Sequence, residues 1–192
     1  MTLAPRRFAN GYQRLSNLVT FRTLASLAPT LDPLTWLPNQ ELFRARLEQV
    51  LCAPGHRGLA LLHLDLDWFQ DVNDLLGHDA GDQVLREAAA RMARALPNAA
   101  LLGHLGGDDF AALIETGEIG QAARVARTLL EAYQEPFVVD CLSLRITASV
   151  GIALQSSRAS NAAGLLAAAC YALYRAKIAG RNRCYPGRAP QH

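Results

Sequence analysis

The sequence predicts an α/β domain of the α+β kind, in which helices flank a central sheet of mixed or antiparallel strand order. Three observations predict this class. Apolar runs of strand length alternate with longer stretches that have helical periodicity. A Gly-Gly-Asp-Asp segment at 106–109 separates two apolar runs, which indicates a hairpin in the middle of the chain. The hydrophobic fraction of 51% is large enough to build a sizeable core.

The first 31 residues differ from those that follow. Their larger apolar residues recur at roughly helical spacing until Pro29, which predicts a helical lead-in over 1–31. A compact domain over 32–186 and a short tail over 187–192 complete the predicted organisation. The lead-in either packs against the domain or serves as a dimerising or signal-transmitting stalk, and the sequence leaves both roles open.

The first half of the domain contains two helix signals and one strand signal. The first helix follows Pro38-Asn39 and has Phe43 and Leu47 on one face. The segment 59–66 is almost continuously apolar, which is typical of a central strand covered on both faces. The segment 81–96 has one apolar stripe at helical spacing and predicts the next helix.

The second half of the domain continues the same alternation. Strand-length apolar runs lie on either side of the Gly-Gly turn, and helical periodicity returns after them. The predicted elements are strands over 99–105 and 110–114, a helix over 119–133, strands near 137–139 and within 142–154, and a last helix over 161–179.

Composition and charge narrow the function classes. Nineteen basic and seventeen acidic residues give a net charge of +2 without a basic stripe, which argues against nucleic-acid binding. Four separated cysteines indicate reduced core thiols and a cytoplasmic location. No apolar run reaches the roughly 18–20 residues of a membrane span. No apolar segment follows Arg6 and Arg7 as it would in a signal peptide.

Two groups of carboxylates are candidates for chemistry. Asp65 and Asp67 are two apart at the end of the strand over 59–66, so a regular strand would point both the same way. Paired carboxylates there either bind a divalent cation or lie in solvent. Asp108 and Asp109 sit in the hairpin turn, and a neighbouring position of turn and strand would bring three carboxylates together for a cation such as Mg²⁺.

Two cations near the last predicted helix form a second candidate group. Lys177 and Arg181 are four residues apart around the helix end, a spacing that suits two positive charges on one phosphate. Considered without any family motif, these residues are better interpreted as a solvated helix terminus that the helix dipole stabilises.

Taken together, these segments resemble the GGDEF diguanylate cyclase family in order and spacing. The resemblance covers about residues 32–186 and rests on five motifs that occur in the family's order. The motifs are the opening segment 32–39, Asp-Leu-Asp-Trp-Phe at 65–69 with 73–82, Gly-Gly-Asp-Asp-Phe at 106–110, the late strand 147–153, and the closing segment 172–183.

The resemblance implies a fold like that of adenylyl cyclases and polymerase palms. It also implies that each domain binds one GTP with Mg²⁺ or Mn²⁺, and that a homodimer joins two GTP into cyclic di-GMP and two pyrophosphates. By this resemblance, Asp65, the Leu66 carbonyl and Asp109 would bind the metal, and Asp108 and Asp109 would be catalytic, with Asp108 assisting deprotonation. Asn73 and Asp82 would recognise guanine, and Gly106 and Gly107 would form a nucleotide-binding turn. Lys177 and Arg181 would bind phosphate.

Several positions depart from the family pattern. The fourth turn residue is usually Glu, and Asp109 is shorter by one methylene, which withdraws the carboxylate by about an ångström. His104 stands where Arg is usual and is expected to be mostly neutral at pH 7. The family's Arg-x-x-Asp inhibition site falls on Pro97 and Ala100, so feedback inhibition there is not expected. Two further changes are Gln70 in place of Lys and Trp36 in place of Gly.

Two functions remain open from the sequence. The first is a diguanylate cyclase. The second is a degenerate regulatory module that binds GTP, or no ligand, and acts through the lead-in or a partner signalling domain. Three other residues near the motifs are expected to be structural, with His63 as a hydrogen-bonded core histidine and Trp68 and Phe69 as packing residues.

Overall fold

The computed structural model describes residues 31–54, 58–156 and 161–187. The predicted lead-in, apart from residue 31, and the predicted tail, apart from residue 187, lie outside the described residues. Within the described ranges, no helix has the length and apolarity needed to cross a membrane.

A five-stranded sheet forms the centre of the domain, as predicted. Its strand order is β2-β3-β1-β6-β7, and β1 is therefore the middle strand. β1 is antiparallel to both of its neighbours, and β7 runs parallel to β6, which gives the mixed order. A separate hairpin is formed by β4 and β5. The strands are β1 (Ala60–Leu66), β2 (Leu101–Gly106), β3 (Asp109–Ile114), β4 (Phe137–Val139), β5 (Leu142–Leu144), β6 (Ala148–Leu154) and β7 (Cys184–Pro186).

Helices cover both faces of this sheet. Alternate residues of β1 face opposite sides, so Leu61 packs among residues of α1 and α5 whereas Leu62 packs among those of α3 and α4. Every residue of β1 is buried, as the continuous apolar run predicts for a central strand. The described helices are α1 (Gln40–Cys52), α2 (Phe69–Leu76), α3 (His78–Ala95), α4 (Ile119–Ala132) and α5 (Ala162–Ile178).

Two helices begin at an asparagine cap. The Asn39 side chain accepts a hydrogen bond from the Leu42 amide at 3.0 Å, and the Asn161 side chain accepts one from the Gly164 amide at 2.8 Å. Each cap satisfies one of the amides that the first helical turn leaves unpaired. These caps fix the starts of α1 and α5, the two helices on the Leu61 face of the sheet.

Close packing of α5 on the sheet depends on Gly151 in β6. A Cβ at this position would lie 2.1 Å from the Ala169 carbonyl oxygen and 2.3 Å from the Leu173 amide nitrogen. Both contacts are with backbone atoms of α5, which cannot move away as a side chain can. The missing side chain therefore sets the distance between α5 and the central strands.

A buried arginine ties α3 to the segment after α4. Arg91 is 6% exposed, and its Nε donates to Glu87 Oε1 at 2.9 Å. Its guanidinium also donates to the carbonyls of Glu135 and Pro136 and lies 3.9 Å from the Phe137 ring centroid. Burial alone would raise the pKa of Glu87, but hydrogen bonds from Arg91 and Arg94 outweigh it and hold that pKa below its ordinary value.

The structure differs from the sequence-based elements in three places. The helix α2 and the short strand β7 were not predicted. The segment predicted as one strand within 142–154 is divided between β5 and β6. The prediction of core cysteines is wrong, because Cys52, Cys141 and Cys170 are exposed and Cys184 is only partly buried.

Candidate active site

The acidic turn lies directly beside the end of the central strand. Asp65 of β1 is paired in register with Asp109 of β3, and the Leu66 amide donates to the Asp108 carbonyl at 3.4 Å. The turn that carries these acids needs its glycines, because Gly106 has φ +121° and Gly107 has φ +57°. The structure therefore brings Asp65, Asp108 and Asp109 together, as the hairpin prediction required.

Asp65 is a buried carboxylate with an incomplete set of partners. It is 7% exposed, and Lys177 Nζ lies 2.5 Å from its Oδ2. Its Oδ1 has no hydrogen-bond partner among the described residues. Burial raises the pKa of Asp65 to about 6, and the negative charges of Asp108 and Asp109 add to this rise while Lys177 opposes it.

Asp108 shares this environment. Burial raises the pKa of its carboxyl above the ordinary value, and the neighbouring Asp109 charge adds to the effect. Lys177 and His104 act in the opposite direction. Three acidic side chains with one nearby ammonium group leave a local excess of negative charge, which a cation would relieve.

His63 lies on the same side of β1 as Asp65. Its side chain is 10% exposed, and its Nε2 is 3.1 Å from Asp109 Oδ1. Neither ring nitrogen makes an aligned hydrogen bond within the described residues. The prediction that His63 is a core histidine is confirmed, but the prediction of a satisfied hydrogen bond is wrong.

His104 connects the opening segment of the domain to the hairpin. Its Nε2 is 2.8 Å from the Gly107 carbonyl oxygen, its Nδ1 is 3.1 Å from Asp32 Oδ1, and its ring stacks on Phe110. Burial alone would raise the pKa of Asp32, but hydrogen bonds from Thr35 and the nearby His104 imidazole hold that pKa below its ordinary value. His104 therefore connects the Gly-Gly turn to Asp32, a role that the sequence did not indicate.

Asp67 is a structural carboxylate that three hydrogen bonds hold within the protein. It is 3% exposed and accepts hydrogen bonds from the Thr147 hydroxyl at 2.6 Å, the Ser149 hydroxyl at 2.7 Å and the Asn182 amide at 3.0 Å. The Asp67 amide donates to the Thr147 carbonyl at 2.8 Å, which continues the register of β1 with β6, and Ser149, which also donates to Asp67, is the in-register partner of Asp65. Asp67 therefore lies on the same side as Asp65, as the alternation predicted. These hydrogen bonds connect the loop between α5 and β7, called the closing loop below, to β1 and β6.

The closing loop places Arg181 over an exposed tryptophan. The Arg181 Cζ atom is 4.0 Å from the Trp68 ring centroid, and Trp68 is 61% exposed. The prediction that Trp68 is a packing residue is therefore wrong, whereas Phe69 is buried as predicted. The backbone at Trp68 and at Arg181 is left-handed, with φ angles of 63° and 59°, which is uncommon for residues other than glycine.

Asn73 and Asp82 form a separate polar group on α2 and α3. A Cβ added to Gly81 would lie 2.0 Å from Asn73 Oδ1, so the glycine makes room for the asparagine side chain next to Asp82. Asp82 Oδ2 is 3.6 Å from Arg86 Nη2 in an exposed pair. Exposed pairs of this kind contribute little to stability, so Asp82 is available to a ligand.

The carboxylates of Asp65 and Asp109 are suited to a divalent cation. Asp65 Oδ1 is buried and unpartnered, and the surrounding acids disfavour its ionisation unless a positive charge is near. Among the described residues, no three His, Cys, Asp or Glu side chains form a complete metal-binding group. Mg²⁺ usually takes only one or two carboxylates and completes its shell with substrate phosphates and water, so two aspartates are a sufficient protein share.

The mixed five-stranded sheet, its Gly-Gly turn and the acidic pair at the end of the central strand define a domain of the nucleotidyl cyclase class. The profile of the family described as "Diguanylate cyclase, GGDEF domain" matches residues 29–183. The chain therefore belongs to the GGDEF domain family.

Characterised relatives and a solved structure agree with this assignment. The chain is 39% identical to the bifunctional diguanylate cyclase/cyclic di-GMP phosphodiesterase MucR and 40% identical to the diguanylate cyclase TpbB, both from Pseudomonas aeruginosa, over 79% of its length in each case. It spans only 22% of MucR and 36% of TpbB. A crystal structure of the TpbB GGDEF domain matches with a TM-score of 0.76 and 36% identity, covering 81% of this chain and 99% of that domain.

Proposed function

We propose that the chain is a diguanylate cyclase that condenses two GTP into cyclic di-GMP and two pyrophosphates across a homodimer. The observation that carries the proposal is the pairing of Asp65 with Asp109 at the Gly-Gly turn, with Lys177 within 2.5 Å of Asp65. Two acidic ligands and a phosphate-binding cation thus meet at one end of a rigid sheet. Membership of the GGDEF family supports the same activity.

The cation would be Mg²⁺ or Mn²⁺, held by the carboxylates of Asp65 and Asp109 and the Leu66 carbonyl. The chemistry that such a cation supplies is a lower pKa for the attacking 3′-hydroxyl and neutralisation of charge on the departing pyrophosphate. Asp108 lies beside these ligands, and the raised pKa of its carboxyl suits it to accept the hydroxyl proton.

The remaining residues bind and orient GTP. Asn73 and Asp82 present an amide and a carboxylate to the guanine edge, and Asp82 gives up its exposed contact with Arg86 when the base arrives. The open backbone at the Gly-Gly turn allows close approach of the nucleotide, since a Cβ at Gly106 or Gly107 would meet no heavy atom within 4 Å. These contacts fix the orientation of one GTP in one domain.

Lys177 and Arg181 bind the terminal phosphates. Lys177 exchanges its contact with Asp65 for phosphate oxygens when GTP is bound. Arg181 is held by the Trp68 ring, with one face of its guanidinium stacked and its N–H edges free to engage phosphate in bidentate fashion. Stacking thus limits the orientations of Arg181 before the ligand binds.

The reaction needs a second copy of the chain, because each domain binds one GTP and the product contains two. We therefore propose a cytoplasmic homodimer, with the lead-in over 1–31 or a partner signalling domain controlling how the two sites meet. A GTP-binding regulatory module is the second candidate function. Asp109 favours the regulatory module, because its side chain is shorter than the usual Glu and lies against His63.

Incubation of the full chain with GTP and Mg²⁺ or Mn²⁺, followed by chromatography for cyclic di-GMP, distinguishes these functions. Cyclic di-GMP is expected from the wild type and not from the Asp109→Asn variant. Asp140→Asn is a matched control, since it removes the same charge from a residue that contacts Gln83, away from the acidic turn. GTP binding without product at high protein concentration would contradict the cyclase and support the regulatory module.

The Asp109→Glu variant measures how far the short side chain limits turnover. A displacement of about an ångström in a reacting group can cost roughly 10²-fold in rate. We expect Asp109→Glu to raise kcat by up to about that factor, with little change in GTP affinity. Unchanged kcat would show that the backbone of the turn already compensates for the shorter residue.

A further inference from the structure

The feature that the proposed function does not use is the buried imidazole of His63. This residue lies on β1 two positions before Asp65 and is 8% exposed. It borders a cavity of about 260 Å³ between α1, α5 and the sheet, whose wall includes Phe43, Leu105 and Leu166. The wall also includes Gln40, Arg44 and Cys170, but neither ring nitrogen of His63 hydrogen-bonds to any of these side chains.

Strand register explains why Asp109 is the partner that His63 can reach. His63 is paired with Ala111 and Asp65 with Asp109, so His63 and Asp109 are diagonal neighbours on one face of the sheet. Diagonal neighbours are within reach of long side chains. The Nε2 to Oδ1 distance of 3.1 Å is that of a hydrogen bond. The alignment is poor, as is common for catalytic contacts before ligands bind.

The contact does not depend on the charge of the ring. Nε2 carries a proton in the imidazolium and in one of the two neutral tautomers, and in both it can donate to a carboxylate. The other neutral tautomer would place a buried N–H at Nδ1, which has no partner among the described residues, and would point a lone pair of Nε2 at Asp109. A buried donor without a partner is costly, so the tautomer that donates to Asp109 is favoured.

We propose that His63 is a positioning residue for Asp109. Its Nε2–H donates to Asp109 Oδ1 and fixes a carboxylate whose side chain is 42% exposed and would otherwise adopt other rotamers. Asp109 Oδ2 then remains for the cation that Asp65 shares. This inference rests on the proposed role of Asp109 as a metal ligand. His63 thereby compensates in part for the shorter side chain at position 109.

The test measures Mn²⁺ affinity of the full chain without nucleotide, from the electron paramagnetic resonance signal of free Mn²⁺. Loss of a hydrogen-bond partner behind a metal ligand typically weakens metal binding by roughly 10–100-fold. We expect a loss in that range for His63→Leu. His63→Gln keeps an N–H donor near the Nε2 position and should restore affinity to within a few-fold of the wild type. Leu61→Val is the matched control, since it perturbs the same face of β1 without touching Asp109.

Each outcome of the Mn²⁺ titration either supports or refutes the positioning role of His63. If His63→Leu binds Mn²⁺ as tightly as the wild type, or more tightly, the positioning role is refuted while the proposed cyclase stands. If His63→Gln is as weak as His63→Leu, the loss comes from packing and the inference fails. If the wild type itself does not bind Mn²⁺, both the metal site and the inference fail. Should His63→Leu not fold, His63→Asn supplies the comparison, because its amide is too short to replace Nε2.

Discussion

Replacement of Asp65 by asparagine should change how the stability of the metal-free protein depends on pH. Burial raises the pKa of Asp65 to about 6 in the folded protein, against 3.8 for an unperturbed aspartate. Because the folded pKa is the higher one, the folded state binds more protons between these values. The stability contributed by protonated Asp65 is complete below pH 3.8 and is lost as the pH rises through about 6.

The size of the effect follows from the two pKa values. Their difference corresponds to about 3 kcal/mol of unfolding free energy. An asparagine at this position has nearly the same shape as the aspartate but does not ionise, so this loss is absent from the Asp65→Asn variant. Relative to the wild type, the variant should therefore gain about 2 kcal/mol between pH 4 and pH 7.5, because an unfolded aspartate is already partly ionised at pH 4. Lys177 is 33% exposed, so water can solvate its ammonium group when the carboxylate is removed.

Urea denaturation in EDTA at a series of pH values measures this difference directly. Asp67→Asn is the matched control, because Asp67 accepts three hydrogen bonds and an amide group would face some of these donors with its own N–H. That variant should lose about 1–3 kcal/mol at pH 7.5. A constant difference between Asp65→Asn and the wild type across pH 4 to 7.5 would refute the electrostatic argument.

Three further changes test other parts of the structure. Gly151→Ala should abolish soluble expression, since the added methyl group meets the backbone of α5; a native-like melting temperature would contradict this. Arg91→Met should lower the unfolding free energy by about 3 kcal/mol in urea, because buried carbonyls lose their donor, and a loss below about 1 kcal/mol would oppose it. Trp68→Leu should weaken GTP binding about 2–5-fold by calorimetry, as Arg181 loses its stacking partner, and unchanged affinity would exclude that role.

Much of the fold could be predicted because the lengths of the apolar runs distinguish strands from helices. The segment 59–66 is too short for a buried helix and too apolar for an edge strand, which leaves a central strand, and β1 occupies that position in the structure. The short strand β7 gave no comparable signal, since it has three residues and ends in Pro186. The helix α2 begins directly after Trp68 in a left-handed conformation, without a side-chain cap that would mark its start.

The candidate site was predictable in its residues but not in its contacts. The resemblance to the family located Asp65, Asp109 and Lys177, and the structure brings these three together. The contacts of His63 with Asp109 and of His104 with Asp32 depend on strand register and on side-chain rotamers, which no local pattern encodes. The shared side of Asp65 and Asp67 followed from strand alternation, but the hydrogen bonds of Asp67 did not, because their donors Thr147, Ser149 and Asn182 come from segments far along the chain.

The hydrogen bonds of Asp67 have a consequence for the order in which the molecule assembles. They join Asp67 to residues 80, 82 and 115 positions later in the chain. Such long-range contacts form late in folding, because the entropy of closing long loops is lost before the contacts can offset it. A nascent chain that lacks Asn182 has all of its acids but cannot complete this anchor. The complete arrangement of β1, β6 and the loop after α5 should therefore appear only once the whole domain has been synthesised and folded.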